Sequence, residues 1–339
     1  MTTDRVLLTG ASGFVAKHIC ARLLKEGWRV RGTVRGSAKA DAVRAAMSGQ
    51  GHDPARLELV TADLTEDAGW RDAATGCRFV IHTASPFPKV QPKHRFGLVD
   101  IARGGTLRVL ECAERAGVER VVLTSSVVAV YVGRAKRSQT VFGEADWTDV
   151  DGEGAYPYAV SKTLAERAAW AFADKHRLDL AVVNPGFVLG PMLDGVPGTS
   201  IDLIRTMLKG RLVAVPDAAF GIVDVRDVAT AHVRAMTVPG AVGRRFLLSG
   251  GTRSLKEIGD TIGRNDPKVA RRMPRFVLPD WLVQGAGALS GQVAPIVPEL
   301  GRRKIFDSGP ARDVLGLELR TADDAIASAA RSVRERFDA

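Results

Sequence analysis

Tyr158 and Lys162 stand four residues apart in Tyr158-Ala-Val-Ser-Lys162, at the start of a strongly helical stretch. On a helix such an i, i+4 pair shares one face. An ammonium beside a phenol stabilises the phenolate and draws its pKa toward neutrality, which suits the phenol to proton exchange with a carbonyl or alcohol oxygen. Upstream, Val121-Val-Leu-Thr-Ser-Ser126 is an apolar run with a polar end. A serine hydroxyl there can donate to a substrate carbonyl and stabilise developing oxyanion charge. Ser125 and Ser126 both qualify.

A third feature is the turn Thr9-Gly10-Ala-Ser-Gly13-Phe-Val-Ala16, set between an apolar run and a helical one. Glycine lets backbone approach a pyrophosphate, whose charge is then held by free N–H groups and the helix dipole. The next apolar run, Arg29 to Val34, ends in Arg35. No Asp or Glu occurs from Gly27 through Ala40, whereas Arg31, Arg35 and Lys39 do. An acid at this point would serve the ribose hydroxyls of NAD, and a cation serves the 2′-phosphate of NADP. The pattern therefore predicts NADP(H), with Arg35 as the leading contact. Asp63, in Ala62-Asp63-Leu64 at the end of a third run, either hydrogen-bonds the adenine or caps the following turn.

These residues need a scaffold that brings them to one edge. Short Val/Ile/Leu runs at Arg5–Leu8, Val30–Val34, Leu57–Val60, Phe79–His82, Val121–Thr124 and Leu180–Asn184 alternate with helical patterns such as Ala16–Lys25, Leu98–Ala116 and Tyr158–His176. Continuous apolar strands separated by helices argue for a parallel sheet covered on both faces. The fold class expected is α/β, a doubly wound parallel sheet of Rossmann-like type with a smaller interleaved C-terminal substrate lobe. The expected division is 1–185 with 221–248 as the NADP-binding domain, and 186–220 with 249–339 as the lobe.

The set Thr9-Gly10-x-x-Gly13-x-x-Ala16, Ala62-Asp63-Leu64, Thr124-Ser125-Ser126, Tyr158-x-x-x-Lys162 and Asn184-Pro-Gly-Phe-Val-Leu-Gly-Pro191 resembles the extended short-chain dehydrogenase/reductase family. Val30-Arg-Gly-Thr-Val-Arg35, Ser161-Lys162-Thr-Leu-Ala-Glu166 and Val223-Asp-Val-Arg-Asp-Val228 bring it nearest the dihydroflavonol reductase, cinnamoyl-CoA reductase and aldehyde (methylglyoxal) reductase branch. The resemblance implies Ser126, Tyr158 and Lys162 as the catalytic triad, Arg35 on the 2′-phosphate and Pro185 beside the nicotinamide. It extends the cofactor contacts to Thr9, Gly10, Ser12, Gly13, Phe14, Val15, Lys39, Asp63, Leu64, Thr83, Ala84, Ser85, Thr124, Phe187 and Val188.

The implied reaction is reversible reduction of a hydrophobic ketone or aldehyde with NADP(H) and no metal. The mostly apolar pocket candidates Pro86, Phe87, Val127, Tyr131, Phe187 and Leu193 agree with that substrate class. Two departures stand out: Ala16 replaces the family's third glycine, and Tyr131 stands where the plant flavonoid enzymes carry asparagine. Tyr131 either hydrogen-bonds a substrate or packs. Hydroxysteroid dehydrogenase, nucleotide-sugar epimerase or dehydratase, and non-catalytic NADP sensor are the alternative functions.

Composition narrows the partners. The 339 residues carry a net charge of +10, but the clusters Arg134-Ala-Lys136-Arg137, Arg271-Arg272 and Arg302-Arg303-Lys304 lack the interleaved aromatics of a single-strand binding face. Nucleic acid is not expected. Cys20, Cys77 and Cys112 form neither a disulfide framework nor a metal motif, and no signal peptide is legible, so a cytoplasmic location is expected. Trp281 to Pro298 is uncharged but broken by glycines and prolines, which argues against a membrane span. It reads as an apolar loop and helix over a pocket. A small-molecule carbonyl or alcohol is the expected partner, with monomer and homodimer both open.

Overall fold

The computed structural model describes residues 4–86, 92, 94–133, 140–291 and 293–337. The chain first lays down β1 (Arg5–Thr9), β2 (Arg29–Val34), β3 (Leu57–Thr61), β4 (Phe79–His82) and β5 (Arg120–Thr124). After the two-residue β6 (Val141–Phe142), β7 (Leu180–Pro185) rejoins them. Three short strands then leave the sheet: β8 (Phe187–Leu189), β9 (Ala214–Pro216) and β10 (Ala219–Asp224). β11 (Arg245–Leu248) returns to it, followed by β12 (Thr252–Ser254), β13 (Phe276–Leu278) and β14 (Ile305–Phe306).

The main sheet has seven parallel strands in the order β11-β7-β5-β4-β1-β2-β3. Strand order reverses between β1 and β4, and ligands of doubly wound sheets bind in the crevice at that point. β8, β10 and β12 make a separate three-stranded sheet, and β9 pairs β13 while β6 pairs β14. Among the described residues no helix is long and apolar enough to cross a membrane.

Both faces of the main sheet are apolar because successive side chains point to opposite sides. Val6, Leu8, Ile81, Val122 and Val183 pack under α1 (Phe14–Lys25), α2 (Ser37–Ser48) and α8 (Val225–Thr237). Leu7, Val80, Val121, Leu123 and Val182 pack under α3 (Trp70–Ala74), α4 (Val99–Arg115) and α6 (Pro157–His176). Between β5 and β6 a single turn forms α5 (Val128–Tyr131). A second apolar cluster lies among α7 (Thr199–Leu208), α9 (Leu255–Asn265), α12 (Ala322–Phe337) and β8 to β10. Helix α10 (Asp280–Leu289) lies on the surface. Ala311, Leu315 and Leu317, in and just after α11 (Gly309–Leu315), join the sheet-side cluster.

Helix α6 carries the expected chemistry, and its position is locked by a charge. Proline at its first position is pre-organised for a helix start, and buried Ala159, Ala165, Ala169 and Ala173 let it lie close to its neighbours. Glu166 is fully buried and accepts from Arg245 Nε at 2.5 Å, Ser125 Oγ at 2.5 Å and Asn184 Nδ2 at 3.0 Å. Arg245 also donates to the carbonyls of Glu144 and Asp146 and lies 3.8 Å from the Trp147 ring centroid. One carboxylate thus joins α6 to β7, β11 and the end of β5.

Removing one partner of such a pair leaves the other charge buried. Glu166→Ala is expected to lower unfolding free energy by about 3–5 kcal/mol, measured by urea titration of the circular dichroism signal. The double variant Glu166→Leu/Arg245→Met should lose less than Glu166→Ala; an equal or larger loss would refute the pairing argument.

Candidate active site

The first turn of α6 presents Tyr158, and Lys162 follows on the same face one turn later. Ser126 follows the end of β5 directly. Its hydroxyl faces the Tyr158 phenol, close enough to oppose the rise in that group's pKa, and stands 3.5 Å from the Pro185 carbonyl oxygen. Ser125 points the other way and donates to Glu166, so of the two candidate serines only Ser126 faces the tyrosine. Lys162 Nζ donates to the Thr124 carbonyl at 3.0 Å. Two parts of the chain, the residue after β5 and the start of α6, therefore meet at the C-terminal edge of the sheet.

Burial acts on both titrating groups. It pushes the Tyr158 phenol up to about 12, opposed by the Ser126 hydroxyl. It pulls the Lys162 ammonium down to about 8, opposed by Glu166. Desolvation of the phenolate dominates the Tyr158 shift, with Ser126 opposing it. Tyr158 is held as the protonated form at neutral pH.

The glycine turn lies at the strand-order reversal. Gly10 has φ +66°, and a Cβ there would stand 3.1 Å from Ala84, so glycine is required twice over. Gly32 makes room on the neighbouring strand, where a Cβ would come within 2.8 Å of the Ala11 methyl. Gly13, in extended backbone, gives α1 no side-chain cap, and no acid stands in its first turn. Its first amides are thus available to an anion. Ser12, Phe14 and Val15 belong to this turn; Thr83 and Ala84 are tied to it, since both backbone amides donate to Thr9 Oγ1 at 3.1 and 3.0 Å.

Thr9 Oγ1 also lies 2.7 Å from His82 Nδ1. Because it already accepts two amides, its own proton goes to Nδ1, which assigns the His82 proton to Nε2. Among the described residues that buried nitrogen has no partner, nor does Asn184 Oδ1. Burial lowers His82 to about 3, and His232, held between Thr124 Oγ1 and the Val228 carbonyl, to about 4. Both stay neutral and serve packing.

At the end of β2, Arg35 and Lys39 are exposed, and α2 starts between them with neither an acid nor a side-chain cap in its first turn. Arg31 is different: it is buried, pairs with Glu58 at 2.9 Å and donates to the carbonyls of Asp72, Ala73 and Thr75. It is not available to a phosphate. Asp63 caps its turn by accepting from the Thr65 amide and hydroxyl at 2.9 and 2.7 Å, which hold its carboxyl below the ordinary range with Arg35 helping. Leu64, beside it, packs over Gly105.

Pro86, Ser85, Phe187, Val188 and Leu193 are half-buried around the same edge, and Val127 and Pro185 are buried. Phe187 packs against Phe220 with ring centroids 5.6 Å apart. Phe87 lies outside the described residues. Tyr131 takes the packing alternative. It is 3% exposed, sits among Phe142 and Phe306, and donates to Glu299 Oε1 at 2.8 Å. Lys304 pairs with the other oxygen of Glu299 from a buried position, and the buried Tyr156 phenol lies close enough to Tyr131 and Glu299 for both to act on its pKa. A hydroxyl engaged in that way is not free for a substrate.

Sequence reasoning assigned no role to Glu299, Lys304 or Tyr156. It also passed over Lys17 and Asp194, whose ion pair at 2.5 Å ties α1 to the segment after β8. A surface cleft of about 360 Å³ between α7, α9 and α12, lined by Leu208, Ile262 and Arg331, shares no residue with the Ser126–Tyr158 site.

A seven-stranded parallel sheet with a glycine turn at its order reversal defines a Rossmann-like protein. The NAD dependent epimerase/dehydratase family matches residues 6–248. Cinnamoyl-CoA reductase CAD2 of Medicago truncatula is 39% identical over 247 residues, covering 72% of this chain and 75% of its own. Ketoreductase azaE of Aspergillus niger is 33% identical across 98% of both chains. The solved structure of the yeast methylglyoxal/isovaleraldehyde reductase Gre2 complexed with NADPH is similar, with a TM-score of 0.80 at 25% identity over 98% of each chain. The chain belongs to this family, the extended short-chain dehydrogenases/reductases, and is an NAD(P)-dependent oxidoreductase.

The Tyr131 assignment is testable through stability. Tyr131→Phe leaves buried Glu299 short of a donor and is expected to cost about 1–3 kcal/mol in denaturant unfolding. A change within experimental error would free the hydroxyl for another role.

Proposed function

We propose that the chain is an NADP(H)-dependent carbonyl reductase that interconverts a hydrophobic ketone or aldehyde with its alcohol at Ser126, Tyr158 and Lys162. The observation that carries this reading is the meeting of Ser126, which follows β5, with Tyr158 and buried Lys162 on one face of α6, while Ser125 is committed to Glu166. NADP(H) fits the residues present: the uncapped start of α1 suits a pyrophosphate, and Arg35 with Lys39 at the start of α2 suits a 2′-phosphate. Pro185, Phe187 and Val188 would flank its nicotinamide end, with Thr83, Ala84, Ser85 and Thr124 along its length. The NADPH in the yeast reductase agrees. We assign residues 1–185 with 221–248 to cofactor binding, joined by α11, and most of 186–220 and 249–339 to the substrate side.

Bound NADPH supplies a hydride to the carbonyl carbon. Ser126 holds the carbonyl oxygen, and Tyr158 transfers its phenolic proton to that oxygen as negative charge develops, giving the alcohol. The tyrosine then recovers a proton from solvent. Lys162 stabilises the transient phenolate by its charge. Phe187, Val127 and Leu193 give the substrate an apolar wall, which favours a hydrophobic carbonyl over a sugar nucleotide.

Tyr158→Phe should lower the turnover number roughly 10²–10⁴-fold in an NADPH-absorbance assay against aryl ketones, aldehydes and methylglyoxal. NADPH affinity by fluorescence titration should be nearly unchanged; a variant retaining near-normal turnover would remove Tyr158 from proton transfer. Arg35→Ala should weaken NADPH by about 1.5–3 kcal/mol, tenfold or more, with little effect on NADH, and an equal loss for both would refute the phosphate contact.

The pH dependence follows from the two shifts. Lys162 is charged below about 8, so carbonyl reduction should decline as pH rises through that value. Tyr158 stays protonated up to about 12, so alcohol oxidation, which needs the phenolate, should rise across the same range. Parallel profiles in the two directions would contradict this assignment.

A further inference from the structure

Half of the net positive charge and the exposed apolar helix have no part in the site described above. The β9–β13 pair sets residues 207–216 beside residues 268–290: the amides of Arg275 and Phe276 both point to the Val213 carbonyl, at 2.9 and 3.4 Å. Arg272 donates to the Leu208 carbonyl at 3.3 Å, and α10 follows β13 after Pro279. On this continuous surface Phe276 is 64% exposed, Trp281 69% and Leu289 92%, with Val213, Val277 and Leu282 exposed beside them.

Helix α10 buries only Val283. At about 100° per residue, Trp281, Leu282 and Leu289 fall within one arc of roughly 100°, and Val283 faces the other way. The helix therefore turns an apolar stripe outward. On the paired stretches that lead into it stand Lys209, Arg211, Lys268, Arg271, Arg272 and Arg275, all exposed and, among the described residues, none ion-paired, and Asp280 is the single acid in the two stretches. Six cations against one carboxylate hold half of the chain's net +10.

We propose that this face docks on an anionic lipid surface, with α10 lying in the plane of the interface. Trp281, Leu282 and Leu289 enter the acyl boundary, and the flanking arginines and lysines meet the headgroup phosphates. Charge selects this occupant over the others. A second copy related by a two-fold axis would bring the six cations against an identical six. Nucleic acid would answer the cations and could stack on Phe276 and Trp281, but it leaves the aliphatic Val213, Val277, Leu282 and Leu289 in water, whereas an acyl boundary takes up all of them. The sequence reading expects no membrane partner because no segment spans one, and a helix lying in the interface needs no span.

The test is co-sedimentation of the full chain with vesicles of phosphatidylcholine alone or mixed with phosphatidylglycerol, at low salt. Binding to the mixed vesicles only is expected, with a blue shift of tryptophan emission and release near 1 M salt, where the screening length is about 3 Å. Arg271→Glu/Arg272→Glu should lower the partition coefficient roughly thirtyfold or more, about fivefold for each lost cation. Trp281→Ser/Leu282→Ser should lower it at least about tenfold. Both variants should keep the wild-type unfolding midpoint and NADPH affinity. Failure to bind mixed vesicles, or variants that bind like wild type, would overturn the proposal. So would a Trp281→Ser/Leu282→Ser variant that turns a dimer into a monomer by sedimentation velocity without vesicle binding, or tighter binding to single-stranded DNA than to the vesicles.

Discussion

A single buried carboxylate sets the geometry of the site. Glu166 receives hydrogen bonds from Ser125, Asn184 and Arg245, and none of these comes from its own helix. Fixing Ser125 toward Glu166 turns the next residue, Ser126, toward Tyr158, because consecutive side chains at a strand end point opposite ways. Asn184 holds the Ser126 carbonyl at 3.2 Å from the same cluster. Lys162, one turn before Glu166, is delivered to the Thr124 carbonyl. The pair with Arg245 need not add net stability, since a well-packed apolar replacement can be as favourable. Its consequence is register: α6 cannot slide or rotate against the strands without stranding two charges.

The sheet was legible because both of its faces are covered, so each strand appears as an uninterrupted Val/Ile/Leu run. The six strands read from such runs agree with β1 to β5 and β7 to within a residue at either end. The tyrosine–lysine pair was legible because its spacing is that of one helical turn. Glu166 and Arg245, in contrast, are 79 residues apart, and Tyr131 and Glu299 are 168 apart. No local pattern marks a glutamate that will meet an arginine across a sheet. The same limit applies to Arg31 and Arg35: both read as cations at one strand end, but the first lies under α3 with its donors consumed by carbonyls, and the second lies beyond the last strand residue. After Pro185 the strands shrink to three residues or alternate with loops, too short for periodicity to register.

Burial shapes the site's electrostatics by opposing charge on both titrating groups. Desolvation raises the tyrosine and lowers the lysine, so at neutral pH the phenol is neutral and the ammonium is the charged member. A phenolate formed here without a neighbouring cation would be costly in the low-dielectric surroundings. Beside Lys162 it gains an attraction that the neutral phenol does not have. That interaction grows as the proton leaves, so it is stronger in a charge-separated state than at rest, which is the condition for it to speed a proton transfer.

The seam between the sheet and the C-terminal segments is built from charges, while the clusters on either side are apolar. Lys17 meets Asp194, Arg320 meets Asp227, and Lys304 with Glu299 meets Tyr131 and Tyr156. An apolar seam would tolerate small slides, because hydrophobic contact is non-directional. Ion pairs with a buried member tolerate few, because each displaced partner leaves an unpaired buried charge. Tyr156 is two residues from Tyr158, so the Glu299–Lys304 pair reaches the start of α6 through two phenols. The segment carrying that pair is the one whose pattern was hardest to read. It constrains the helix whose pattern was easiest, so the position of Tyr158 depends on residues far along the chain from it.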